Sequence, residues 1–172
     1  FTSALAYHHP RIPPSLLRHG ATNGLNPRLI TWTWTSAVPL FAMLFVGIPL
    51  RLTSFSTLGK NFTFGLAEPD QLVTSGIYQY VQHPSYTGLV ITVVAHAALT
   101  YRIDGGLSCI IPPRWYGFGK RLERFVVPVW VALVVLMISK RVPEEEAMMK
   151  GTFGQQWEVW HRQTARFIPG VF

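Results

Sequence analysis

The chain has 172 residues, 49% of them hydrophobic, 13% aromatic and only 13% charged, with a formal net charge of +7 and a mean hydropathy of +0.25. A soluble domain of this size carries about twice that charged fraction, so the composition points to a membrane protein of a length that allows one domain. The basic residues are scattered between apolar runs, which argues against a nucleic-acid stripe, and the lone Cys109 excludes an internal disulfide or a thiolate zinc cluster.

Residues 1–28 read as an N-terminal tail rich in proline, with no continuous apolar run to serve as a signal peptide. The first residue is Phe1 rather than Met, so a processed chain or a fragment lacking upstream helices is expected. His8, His9 and His19 have no acidic or Cys partner spaced to complete a metal site, and no metal is expected there. The remainder, residues 29–172, is read as a single membrane domain.

Three apolar runs follow. Leu29 to Leu50 is uncharged and long enough to cross a hydrocarbon core of about 30 Å. Pro39 should kink it, while Trp32 and Trp34 suit the interface at one end and Arg51 at the other. Tyr86 to Tyr101 and Phe125 to Ser139 are shorter and make sense as two arms of a helical hairpin. His96, in the middle of the second run, is expected to face another helix. Between the arms, residues 102–124 carry Arg102, Arg114, Lys120, Arg121 and Arg124, with Trp115, Tyr116 and Phe118 interleaved. They read as a loop with an interfacial segment.

The C-terminal part is polar and aromatic. A helix is expected from Pro143 to about Thr152, with Pro at a tolerated first position and Glu144, Glu145 and Glu146 at the positive end of the dipole. Arg141 and Glu145, four apart, can share a face. A second helix from Gln155 to about Thr164 would put Trp157 and Trp160 on one side. The fold expected is all-α, a multi-span membrane protein with a helical hairpin and a C-terminal helical segment.

Dinucleotide, P-loop, HExxH and Gly-x-Ser-x-Gly signatures are absent. Two polar clusters remain, "LVTSGIYQYVQHPSYTG" and "RVPEEEAMMKGTFGQQWEVW", and the hairpin would bring them to one face. Imidazole, phenols, a hydroxyl, carboxylates and a guanidinium would meet beside the lipid, a plausible pocket for a polar cofactor.

"LGKNFTF…LVTSGIYQYVQHPSYTG" followed by "EExxMxxxFGxxWxxWxxxxxRxIPG" resembles the isoprenylcysteine carboxyl methyltransferases, from about Arg51 to Gly170 outside the loop 102–124. That family consists of integral membrane enzymes that methylate the C-terminal cysteine of prenylated CaaX proteins using S-adenosylmethionine. The resemblance implies that Asp70, Gln71, Leu72 and Val73, with Tyr78, His83, Pro84, Ser85 and Tyr86, line the S-adenosylmethionine site and that a C-terminal segment covers it. It implies that Glu145 meets the polar end of the cofactor and that Arg141 faces the substrate carboxylate, the pair carrying catalysis. It further implies prenylated CaaX proteins or a prenylcysteine lipid as partners, and an endoplasmic reticulum location with the site facing the cytosol. Gln82 stands where the family often has Arg, which bears on a phosphate or carboxylate contact at that position and not on the pocket as a whole. Phospholipid N-methyltransferases and NADPH-dependent sterol reductases share the skeleton. The latter typically carry an Asn after the His-Pro and an acid after the Gly, where Ser85 and Leu89 stand. A non-catalytic membrane scaffold is the remaining alternative.

Overall fold

The computed structural model describes residues 19–63, 65 and 67–170, which leaves His8 and His9 outside the described residues. Among the described residues the regular structure is helical, with an isolated parallel bridge between Val81 and Ala165. The all-α expectation therefore holds. Helix α1 is Trp34–Phe41, followed by a π-helical stretch Ala42–Gly47 and then α2, Ile48–Leu58. Helix α3 is Pro84–Thr100, α4 is Pro113–Phe153 and α5 is Gln155–Gln163. Pro39 lies inside α1, where it cannot donate to the Thr35 carbonyl, and a π-helical geometry begins three residues beyond it.

Two helical runs, Pro27–Asn61 and Pro113–Phe153, are long and apolar enough to cross a membrane, and only 11% and 6% of their most apolar windows are buried. The core helix of a water-soluble protein would be mostly buried. Here Phe41, Phe45, Leu133 and Leu136 are 60%, 65%, 59% and 56% exposed. Apolar surface on this scale belongs against lipid.

Helix α4 corrects two expectations. The segment 102–124 is not a loop throughout: from Pro113 onward it is helix, continuous with the apolar run. Nor does a new helix start at Pro143, because α4 runs unbroken for 41 residues past both Pro128 and Pro143. In apolar surroundings each unmade backbone hydrogen bond costs more than the local distortion a proline imposes, so the helix continues through them. At its start, Pro113 occupies the first turn, where no donor is needed. Lys120 and Glu123, three apart and 3.0 Å between Nζ and Oε2, brace the next turns despite Gly117 and Gly119.

The chain divides into two compact units, Phe1–Met43 with Val93–Ala132, and Leu44–Thr92 with Leu133–Phe172. In the first unit the turn after α3 is tied down by polar groups. Buried Asn23 donates through Nδ2 to the carbonyls of Ser108 and Ile111, both at 2.8 Å, and Asn26 N–H donates to the Asp104 carbonyl at 2.8 Å. Asp104 bonds Arg102 at 2.9 Å and Lys120 at 3.0 Å, while Glu123 accepts from the Ile103 amide at 3.1 Å. The Arg102 and Lys120 partners hold the Asp104 carboxyl well below the ordinary carboxylate range. His96 does not face another helix as expected. It is exposed, with its ring edge against Tyr101, whose own ring meets Trp130.

In the second unit α2 and α3 meet backbone to backbone. A Cβ on Gly47 would lie 2.5 Å from Thr92 Oγ1, and one on Gly88 would lie 2.7 Å from the Gly47 carbonyl. Small residues allow this close approach. It brings Arg51 beside the first turn of α3, where Nη1 donates to the Ser85 carbonyl at 3.1 Å. Helix α4 ends at Phe153, and Gly154, at φ +52°, turns the chain into α5. The α5 boundaries match the expected helix closely.

Candidate active site

A cavity of about 540 Å³ lies within the second unit, walled by α2, the segment 61–73, the start of α3, the last turns of α4, and α5. Its chemistry is set by what each element carries there. Helix α3 begins with the His83-Pro84 pair: Pro84 is fully buried and fixes the turn, so that His83, Ser85 and Tyr86 face the cavity. Helix α4 places Arg141 and Glu145 opposite, four apart on one side of the helix, with Glu146 next to them on the cavity wall.

These groups touch. Tyr86 Oη donates to Glu145 Oε1 at 2.6 Å, and Arg141 Nε donates to the same oxygen at 3.2 Å. The His83 ring lies between two carboxylates, Nδ1 3.6 Å from Glu145 Oε2 and Nε2 3.3 Å from Glu146 Oε1. Arg166 Nη2 reaches Glu146 Oε2 at 2.7 Å. The polar wall is thus a connected row from Arg141 through Glu145, His83 and Glu146 to Arg166. Much of the rest is apolar, with Phe55, Leu58, Leu89, Met137, Met148 and Met149 prominent. Deeper in, the Tyr78 phenol is buried, and burial pushes its pKa well above the ordinary tyrosine value, with Glu145 adding to the effect.

Residues 161–166 close one side. The Gln82 N–H donates to the Ala165 carbonyl at 2.8 Å and the His83 N–H to the Arg166 carbonyl at 2.9 Å. The buried Gln82 amide Nε2 donates to the carbonyls of His161 and Thr164 at 3.0 and 2.8 Å, and its Oε1 pairs with His161 Nδ1 at 2.8 Å. Trp157 is 6% exposed and stacks on His161, and Trp160 Nε1 donates to the Tyr78 carbonyl at 2.8 Å. Both tryptophans point from α5 to the cavity, as their spacing requires.

Of the residues singled out from sequence, Gln71, Val73, Tyr78, His83, Ser85, Tyr86, Arg141 and Glu145 line this cavity together. Asp70, Leu72 and Pro84 are outside its lining; the Asp70 amide instead donates to Asn61 Oδ1 at 3.1 Å. Sequence reasoning missed Glu146, Arg51 and the methionine pair. Glu146 was visible as the third acid of a triplet. Arg51 was read as a membrane anchor, and only the Gly47–Gly88 crossing explains its place.

A family model for isoprenylcysteine carboxyl methyltransferases matches residues 40–122. Protein-S-isoprenylcysteine O-methyltransferase B of Arabidopsis thaliana is 29% identical over 161 residues, covering 91% of this chain and 71% of that protein. Over these stretches the chain is similar to the isoprenylcysteine carboxyl methyltransferases. A protein-S-isoprenylcysteine O-methyltransferase of Rattus norvegicus is 39% identical over 66 residues, 36% of this chain and 23% of that one. Among solved structures, the eukaryotic intramembrane Ras methyltransferase ICMT has a TM-score of 0.61 at 21% identity. That match covers 98% of this chain, which spans 60% of the solved chain, and it shows a shared fold.

Proposed function

We propose that this chain transfers a methyl group from S-adenosylmethionine to the C-terminal carboxylate of a prenylated cysteine in CaaX-type proteins. The observation that carries the reading is the one cavity in which Arg141, Glu145, His83 and Tyr86 are hydrogen-bonded or paired beside a methionine-rich apolar wall. A polar, zwitterionic cofactor and a lipid tail need those two surfaces in one place. The donor set suits the cofactor: Glu145 and Glu146 offer carboxylates for an ammonium group, and Trp157, Trp160 and Tyr78 offer aromatic surface. When bound, S-adenosylmethionine supplies an electrophilic methyl on a sulfonium.

The chain's own task is then binding and alignment. A terminal carboxylate is ionised at neutral pH and needs no general base. Arg141 can hold it through a planar fork of donors. In the structure Arg141 is engaged with Glu145, so a substrate carboxylate competes for or shares the guanidinium. Gln82 and the 161–166 segment wall off one side and help exclude water. Holding two reactants in line supplies a large part of a displacement barrier. The exposed apolar helices support a membrane location; an endoplasmic reticulum location with the site facing the cytosol is part of the proposal, as the resemblance implies.

The test uses methyl-labelled S-adenosylmethionine with farnesylcysteine or phosphatidylethanolamine, followed by mild base. A carboxyl methyl ester releases volatile labelled methanol, whereas an N-methyl amine does not. Base-labile label that requires both the prenyl chain and a free carboxylate is the expected result. Base-stable label on phospholipid overturns the acceptor assignment.

A further inference from the structure

The first unit carries charge that the site above does not use. Four charged groups at the α3–α4 turn neutralise one another: Arg102 and Lys120 against Asp104 and Glu123, at distances from 2.9 to 3.6 Å. Three arginines on the first turns of α4 are left over. Arg114, Arg121 and Arg124 are exposed, and among the described residues no carboxylate pairs with any of them. Arg28 is a further exposed, unpaired cation among the described residues of this unit, and most of its positive excess lies on one short length of helix.

The spacing gives it a face. Arg114, Phe118, Arg121 and Phe125 follow one another at intervals of four, three and four, so they form a stripe along α4. Phe118 and Phe125 are 56% and 64% exposed, and Trp115, also 56% exposed, lies 6.0 Å from the Arg114 guanidinium. A stripe of unpaired arginine alternating with exposed aromatic rings, running directly into an apolar span, fits the depth at which headgroups meet acyl chains. A soluble polyanion would satisfy the arginines and leave the rings in water. A phospholipid satisfies both.

We propose that the Arg114–Phe118–Arg121–Phe125 face of α4, with Arg124 beside it, binds anionic phospholipid headgroups in preference to zwitterionic ones. Each basic residue at an anionic leaflet is worth about a fivefold preference, so three set an upper bound near a hundredfold.

The experiment uses the purified full chain in detergent, offered equal amounts of phosphatidylglycerol and phosphatidylcholine, with bound lipid counted by native mass spectrometry. At least tenfold retention of phosphatidylglycerol is expected, falling towards parity in Arg114→Gln/Arg121→Gln/Arg124→Gln and as salt is raised on the unmodified chain. The triple Arg→Lys variant should keep the preference, as should Lys60→Gln/Arg162→Gln, which removes exposed basic charge elsewhere. Parity in the unmodified chain overturns the proposal, and so does a preference that survives the triple Gln change. Capture of polyglutamate in place of lipid also overturns it, by making the face a docking surface for acidic protein. The salt series and the Lys variant decide the matter even where the Gln variant folds poorly.

Discussion

Glu145 is approached by a phenol, a guanidinium and an imidazole, at 2.6, 3.2 and 3.6 Å. Replacing it with Gln keeps the shape and removes the charge. A hydrogen bond to a charged group is worth roughly 1.5–3 kcal/mol, so affinity for S-adenosylmethionine should fall by about tenfold or more, with prenylcysteine binding little changed. Calorimetric titration checks this; unchanged cofactor affinity would reduce Glu145 to a group that positions Tyr86. Arg141→Lys keeps the charge and loses the fork, so turnover should fall while the melting temperature in detergent stays put. Normal kinetics for Arg141→Ala would leave it a membrane-surface anchor. Their spacing of four showed that both could share a helix face, and it was the resemblance that put them in the site; both line the cavity. Gln82 was not. Its partners His161 and Thr164 lie 79 and 82 positions away, and no local pattern announces a side chain that fastens a distant segment.

Among the elements, the crossing of the chain at Gly47 with α3 at Gly88 is a tight one. Gly88→Ala must push its methyl against the Gly47 carbonyl, 2.7 Å away. Overpacking of this kind costs about 1–3 kcal/mol, which for a chain of this size lowers the melting temperature by about 2–12 °C. Gly117→Ala is the matched control: nothing lies within 4 Å of its Cβ, so the change should be neutral or stabilising through helix propensity. Equal losses from the two would show that the crossing is not tight. At the other end of α3, the depressed Asp104 carboxyl makes stability depend on pH. Its contribution is complete above the unfolded value of about 4 and is lost as pH falls below it. The melting temperature of Asp104→Asn should therefore lie below that of the parent chain at neutral pH, with the gap beginning to narrow below about pH 4 and closing only as pH falls through the depressed folded value. The gap is small, because such pairs are partly exposed. Helix existence was readable from the uninterrupted apolar runs, but the length of α4 was not. Charged residues and prolines look like boundaries in a sequence, and lipid overrides them by making every broken backbone bond expensive.

For the molecule as a whole, composition already separated lipid-facing helices from polar ends, and the exposed apolar surface agrees with it. What composition could not show is that one cavity carries both kinds of surface. The polar row consists of His83, Tyr86, Arg141, Glu145 and Glu146, with Arg166 paired to Glu146 behind it, and the apolar wall draws on α2, the start of α3 and α4. This mixture makes a prediction about pH on the proposed function. The acceptor, a terminal carboxyl with an ordinary value near 3.5, is fully ionised throughout the neutral range. The turnover rate with farnesylcysteine should then be nearly flat from about pH 6.5 to 8. An amine acceptor must lose a proton before it attacks, so its rate would climb across the same interval. Initial rates at saturating S-adenosylmethionine distinguish the two without identifying the product. A rate that rises steadily with pH over this range would remove the carboxylate as acceptor and leave the cavity in search of a different nucleophile. Cysteine without the prenyl chain should be inert at every pH tested. Each buried CH2 contributes about 0.8 kcal/mol to membrane partitioning, and the bare amino acid forgoes all of it along with the contacts of the apolar wall.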